Sequence, residues 1–152
     1  MRRRIGNLYP QPTAEELEQI AQANADFLNN PIVFVYGTLR KGFGNHSLLQ
    51  DAEFISIGKT KHKYCMTASG CPFVSEHTKM ARILGELYRV KTVEDWHHLD
   101  RLESHPTWYV RKQVEIEVEG GKYVKAWLYF NEESQGQQVI RSGDYADYRH
   151  SY

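Results

Sequence analysis

The chain has 152 residues, with 19 Lys and Arg against 19 Asp and Glu. That length suits one principal core, and formal neutrality removes the basic surplus that phosphate binding needs, so nucleic acid is not an expected partner. Hydrophobic residues at 41% and charged residues at 25% are those of a folded globular chain, and no apolar run approaches the roughly 18 residues of a membrane span.

Residues 1–12, with two prolines, a glycine and Arg2-Arg3-Arg4, read as an irregular, solvated leader. No apolar segment follows the arginines, which excludes a secretory signal, and Glu15, Glu16 and Glu18 argue against a mitochondrial one. Thr13-Ala14-Glu15-Glu16 spells a capping box. Leu17, Ile20, Ala21, Asn24, Phe27 and Leu28 then follow at helical spacing, and Asn29-Asn30-Pro31 stops the helix. The spacing predicts a helix that packs on the body of the protein. Residues 1–30 thus form a leader and capping helix, and 31–152 the main domain.

Ile32-Val33-Phe34-Val35-Tyr36 is a continuous apolar run and reads as a buried strand. It enters a glycine-punctuated loop, Gly37-Thr38-Leu39-Arg40-Lys41-Gly42-Phe43-Gly44, with a short helix expected at 46–50. Residues 53–68 lean toward β, Gly70-Cys71-Pro72 marks a turn, and 83–90 alternates as a strand. Thr92 caps a second helix whose Val93, Trp96, Leu99 and Leu102 face the core, ending at His105-Pro106. Val110, Lys112, Val114, Ile116 and Val118 share one side of a strand, and Glu119-Gly120-Gly121-Lys122 turns it into a second arm over 123–130. The tail, Ser142-Gly143-Asp144-Tyr145, is turn-like. Strands outnumber helices and hairpins join several of them, so the expected fold is α+β: a small mixed, largely antiparallel sheet or barrel with flanking helices.

Four groupings could carry chemistry. A glycine closing a buried strand at Tyr36-Gly37-Thr38-Leu39 lets backbone amides approach and hold one anionic atom. It is no phosphate loop, since both glycine-rich phosphate spacings are missing. Glu103, four residues after Leu99, borders the apolar face of its helix near the C-terminal end. Poor solvation and the helix dipole both disfavour its charge there, as suits a general base. A partly exposed Glu103 paired with Arg101 or Arg111 fits the same spacing. His62, Cys65, Cys71 and His77 bracket a turn but match no usual zinc spacing, and adjacent His97 and His98 cannot face one ion. No metal or cofactor is therefore expected. Two cysteines make no disulfide framework, so both read as free thiols in a cytoplasmic, reducing setting. Neither has the surroundings of a nucleophile. Ten tyrosines exceed what a core needs and suit the lining of a polar-ligand pocket.

Taken in order, the strand with Tyr36-Gly37-Thr38-Leu39, Asn45-His46, Pro72, Gly85-Glu86-Leu87-Tyr88, Leu99-Asp100-Arg101-Leu102-Glu103, Pro106, Tyr109, Arg111 and Trp127-Leu128-Tyr129 strongly resemble the gamma-glutamylcyclotransferases. Within them the chain is most similar to the AIG2-like, gamma-glutamylamine cyclotransferase branch, over about residues 32–145. The resemblance implies a small barrel whose cavity has the Tyr36–Leu39 loop on one side and a single catalytic glutamate, Glu103, on the other. It places the family's pocket tyrosine on Tyr109. It implies a cofactor-independent reaction on a γ-glutamyl amine, whose own α-amine attacks its γ-carbonyl to give 5-oxoproline and a free amine. The helix before residue 31 departs from the family pattern. Two other readings use the same residues: a binder that sequesters a small ligand in this pocket and docks a partner through the N-terminal helix, and an interaction protein with a filled cavity.

Overall fold

The structure, a computed structural model, describes residues 10–133 and 138–150. It divides the chain into two compact units, Met1–Asn30 and Pro31–Tyr152. Among the described residues the first contains one helix, α1 (Ala14–Asn29). Thr13 Oγ1 accepts from the Glu16 amide at 3.0 Å and Glu16 Oε1 accepts from the Thr13 amide at 2.8 Å, the reciprocal cap that the four residues spell. Most of the leader expected over residues 1–12 lies outside the described residues.

Among its described residues the second unit contains seven strands and one α-helix: β1 (Ile32–Val35), β2 (Glu53–Ala68), β3 (Pro72–Ser75), β4 (Ala81–Arg89), α2 (Val93–Leu102), β5 (Val110–Val118), β6 (Tyr123–Phe130) and β7 (Gln138–Val139), with 3-10 turns at His46–Leu49 and Tyr145–His150. The pairing runs β2–β4–β1–β6–β5, and β5 pairs again with β2, so five strands close into a barrel. Only β1 and β6 run parallel within that ring. Closure leaves those five strands without a free edge. The length of β2 permits it: its 16 residues pair with β4 and β5 and, further on, with β3 and β7, bending at irregularities near Ser56 and after Lys59. Phe34, Met66, Ile83, Leu87, Ile116, Leu128 and Phe130 fill the interior.

Helix α2 carries the elements that concern function. Thr92 Oγ1 accepts from the Asp95 amide at 3.1 Å and caps it. Trp96, Leu99 and Asp100 are its buried residues. Leu102, expected inward, is 37% exposed, because the helix ends there and not at His105. After it the chain folds back tightly, with the His105 amide donating to Asp100 O at 2.9 Å and the Tyr109 amide to Glu103 O at 3.3 Å. The second departure is on β5. Val114, Ile116 and Val118 do face the barrel interior, but Val110 is 40% exposed and Arg111 only 4%. At that end the outer face of the sheet is covered by α2, and a cation is buried there. Thr92→Ala is expected to cost about 1 kcal/mol, the usual worth of an N-cap, read as a lowered urea midpoint at unchanged slope.

Candidate functional site

A cavity of about 50 Å³ opens beside the end of β1. Its walls include Tyr36, Gly37, Thr38, Leu39, Glu103 and Tyr109, and are completed by Phe34, Val35, Cys71, Pro72 and Tyr129. The structure thus brings all six residues singled out in the sequence to one hollow. Cys71, Pro72 and Tyr129 join them without having been assigned to it.

The loop is built to present donors. The carbonyls of Gly37, Thr38 and Leu39 accept, respectively, from the Arg40 amide (3.0 Å), the Asn45 amide (2.9 Å) and His46 Nδ1 (2.9 Å). A carbonyl only accepts, so Nδ1 is the protonated nitrogen of His46. Among the described residues, nothing accepts from the amides of Thr38 or Leu39. Asn45 Nδ2 donates to Thr38 Oγ1 at 2.8 Å, leaving the threonine proton to be given elsewhere. Gly37 is where the loop passes Pro72. A Cβ there would lie 2.6 Å from Pro72 Cγ, so only glycine lets the two segments meet.

The tyrosines offer the opposite chemistry. Tyr36 Oη donates to Tyr129 O at 2.7 Å, Tyr109 Oη to Pro72 O at 2.7 Å, and Tyr129 Oη to Asp100 Oδ1 at 2.6 Å. A phenol has one proton, and each is spent on these acceptors. The three oxygens are left with lone pairs only. Burial pushes all three hydroxyls well above the ordinary tyrosine range, with neighbouring Glu103 adding to the shift in each case, so they stay neutral.

Glu103 caps the C-terminus of α2 and is partly buried. Neither Arg101 nor Arg111 pairs with it. Among the described residues its carboxylate has no ion pair and no hydrogen-bond donor; Arg111 goes to Asp100 instead, through Nε at 2.9 Å and a second nitrogen at 2.9 Å. Burial first, and the negative charge of Asp100 second, raise the Glu103 carboxyl from the ordinary 4.5 to about 7. A carboxylate of that kind takes and returns protons near neutral pH.

A larger cavity, about 390 Å³, lies over β2, β4 and β5. Its charged lining is largely spoken for: Arg40 pairs with Asp144, Arg82 with Glu117, and Glu86 accepts from the Lys41 amide and Tyr88 Oη. None of the six candidate residues reaches it. Cys65 and Cys71 are free thiols. Among the described residues no cluster of three His, Cys, Asp or Glu could hold a metal ion, and no helix is long and apolar enough to cross a membrane.

The family model described as gamma-glutamyl cyclotransferase, AIG2-like, matches residues 33–147. A protein of Methanocaldococcus jannaschii, provisionally named a gamma-glutamylcyclotransferase, is 50% identical over 120 residues, covering 77% of this chain and 97% of its own length. Gamma-glutamylaminecyclotransferase B of Danio rerio is 37% identical over 99 residues, covering 58% of this chain and 50% of its own. Among solved structures, an AIG2-like protein from Mus musculus superposes with a TM-score of 0.65 at 24% identity, over 76% of this chain and 87% of its own. An uncharacterised protein from Pyrococcus horikoshii gives 0.62 at 27%, over 78% and 92%.

Proposed function

This chain belongs to the gamma-glutamyl cyclotransferase, AIG2-like family and is an enzyme of that class, and on that premise we propose that residues 31–152 release 5-oxoproline and a free amine from a γ-glutamyl amine, with Glu103 as base and then acid. The observation that carries the proposal is that one cavity holds free backbone donors, tyrosine oxygens left only as acceptors, and a carboxylate with no partner among the described residues.

A γ-glutamyl head carries an α-carboxylate, an α-ammonium and the γ-carbonyl to be attacked. The anionic groups need donors, and the Thr38 and Leu39 amides with the Thr38 hydroxyl supply them. The ammonium needs acceptors, and the lone pairs of Tyr36 and Tyr109 together with Glu103 supply those. Held this way, the substrate folds so that its nitrogen stands over its own γ-carbon. Fixing an intramolecular attack of this kind is worth about 7–11 kcal/mol of barrier. Glu103 takes a proton from the ammonium, and the freed amine attacks. The γ-carbonyl oxygen becomes an oxyanion, which the loop amides stabilise. Glu103 passes its proton to the leaving nitrogen, the C–N bond breaks as the intermediate collapses, and the second proton of the new ring nitrogen passes through Glu103 to the released amine, leaving a neutral lactam and an ammonium. All bonds between heavy atoms that form or break lie within the substrate.

The test is direct. Purified protein incubated with γ-glutamyl amines of varied amine half is expected to release 5-oxoproline and the amine in equal amounts. Saturable binding with no product from any of them would make the cavity a binding site and refute the reaction. Tyr109→Phe removes an acceptor for the ammonium and is expected to raise KM about tenfold, the worth of one charged hydrogen bond, with kcat changed much less.

A further inference from the structure

Two carboxylates stand one turn apart at the end of α2, and their surroundings are opposite. Residues three apart on a helix are surface neighbours, with Cβ atoms about 5–6 Å apart. Asp100 is saturated: Oδ1 accepts from Arg111 Nε and Tyr129 Oη, and Oδ2 from a second Arg111 nitrogen. Glu103 accepts from no described residue. The guanidinium that Asp100 holds is confined by its other neighbours. It lies over the Trp96 ring at 5.0 Å and the Trp127 ring at 4.9 Å, in addition to its two-pronged bond to Asp100. The indoles themselves meet edge to face at 6.4 Å. A planar fork fixed by two hydrogen bonds and two rings cannot turn toward another carboxylate.

Arg111 is the buried cation held by Asp100, the residue one helical turn before the base. Paired with Glu103, it would hold that carboxylate ionised and oriented away from substrate. We propose that Asp100 is a positioning residue for the reaction: it holds Arg111 in a two-pronged bond and sets its own negative charge one turn away, so that Glu103 stays unpaired in the cavity. The inference rests on the reading of Glu103 as the base. Tyr129 links the two parts, since it lines the cavity and donates to Asp100. The other groups around Glu103 are the hydroxyls of Tyr36 at the end of β1 and of Tyr109 before β5, and the Cys71 thiol in the turn before β3. His105 lies against the Tyr129 ring and accepts the Arg111 amide. None of these is a carboxylate, so Asp100 is the negative charge to remove.

The experiment is a titration of the Glu103 carboxyl carbon by NMR in glutamate-labelled protein without substrate, assigned by its loss in Glu103→Gln, with kcat/KM measured over the same pH range. Asp100→Asn is expected to lower the Glu103 inflection by about one pH unit or more and to move the acid limb of kcat/KM with it. Asp100→Asn with Arg111→Gln removes both buried charges, is the milder change for folding, and is expected to lower the inflection by less. Asp100→Glu keeps the charge and is expected to restore the limb toward wild type. An inflection unmoved in both Asn variants overturns the proposal, and if the single variant does not fold, the double variant decides by the same criterion. A shifted inflection without a shifted limb upholds the electrostatic link and refutes Glu103 as the base, so the two readings fail separately.

Discussion

Glu103→Gln is expected to lower 5-oxoproline release by about 10²–10⁴-fold while leaving the fold intact, the range over which a positioned acid–base group contributes. Glutamine keeps the length and shape of the side chain and removes only its proton traffic. KM should rise as well, since Glu103 is one of the acceptors for the ammonium, but by far less than kcat falls, since the donor loop and the tyrosines remain. The wild-type enzyme should show the corresponding pH profile. The base is competent when ionised, its carboxyl titrates near 7, and kcat/KM should therefore fall tenfold per unit below that pH. Stability has the opposite sign. A carboxyl raised from 4.5 to about 7 on folding binds its proton more tightly in the native state, so the native state loses stability as pH rises from about 4.5 to 7. At 1.36 kcal/mol per unit that is about 3 kcal/mol. Glu103→Gln should thus melt above wild type at pH 8, with the gap closing toward pH 4.5. A variant equally active at pH 8 would remove Glu103 from the mechanism. One inactive but with the same stability relative to wild type at pH 8 as at pH 4.5 would refute a carboxylate whose charge is disfavoured by burial.

What the sequence made legible was local. The capping box at Thr13, the cap at Thr92, the apolar run of β1, and the hairpin of β5 and β6 all have their causes within a few residues, and each forms where its pattern lies. Short strands without a period could not be read: β3 begins on Pro72, β7 is two residues long, and both form by pairing with the last residues of β2, beyond its barrel pairings. The tail around Tyr145, read as a turn, winds into a 3-10 helix. The burial of Arg111 was invisible for a different reason. Strand alternation sorts side chains between two faces but does not say which face another element will cover. Here α2 covers the outer one, and Arg111 is buried between Asp100, Trp96 and Trp127. The same limit applied to Glu103, whose helical spacing fitted both an exposed ion pair and a shielded carboxylate. Only the partner of Arg111 separates them, and that is a tertiary fact.

Gly37→Ala is expected to lower kcat/KM about 100-fold, the cost of misplacing catalytic groups by roughly an ångström. The new methyl would stand 2.6 Å from Pro72 Cγ and 3.2 Å from Cδ, closer than carbon atoms pack. One of the two segments must move. Pro72 is a stiff ring at the head of β3, and its carbonyl takes the Tyr109 hydroxyl, so shifting it displaces one of the acceptors. Shifting the loop instead displaces the Thr38 and Leu39 amides. Either way the distance between donors and acceptors changes while every catalytic side chain survives. The loss should fall mainly on kcat, because an oxyanion forming at the γ-carbon is less tolerant of misplacement than a bound carboxylate. Overpacking should also cost about 1–3 kcal/mol of stability. Gly44→Ala is the control from the same loop: nothing lies within 4 Å of a Cβ there, and its activity should equal wild type. Full activity in Gly37→Ala would mean that the contact with Pro72 does not set the geometry of the cavity, and that the spacing of its donors and acceptors is not what orients the substrate.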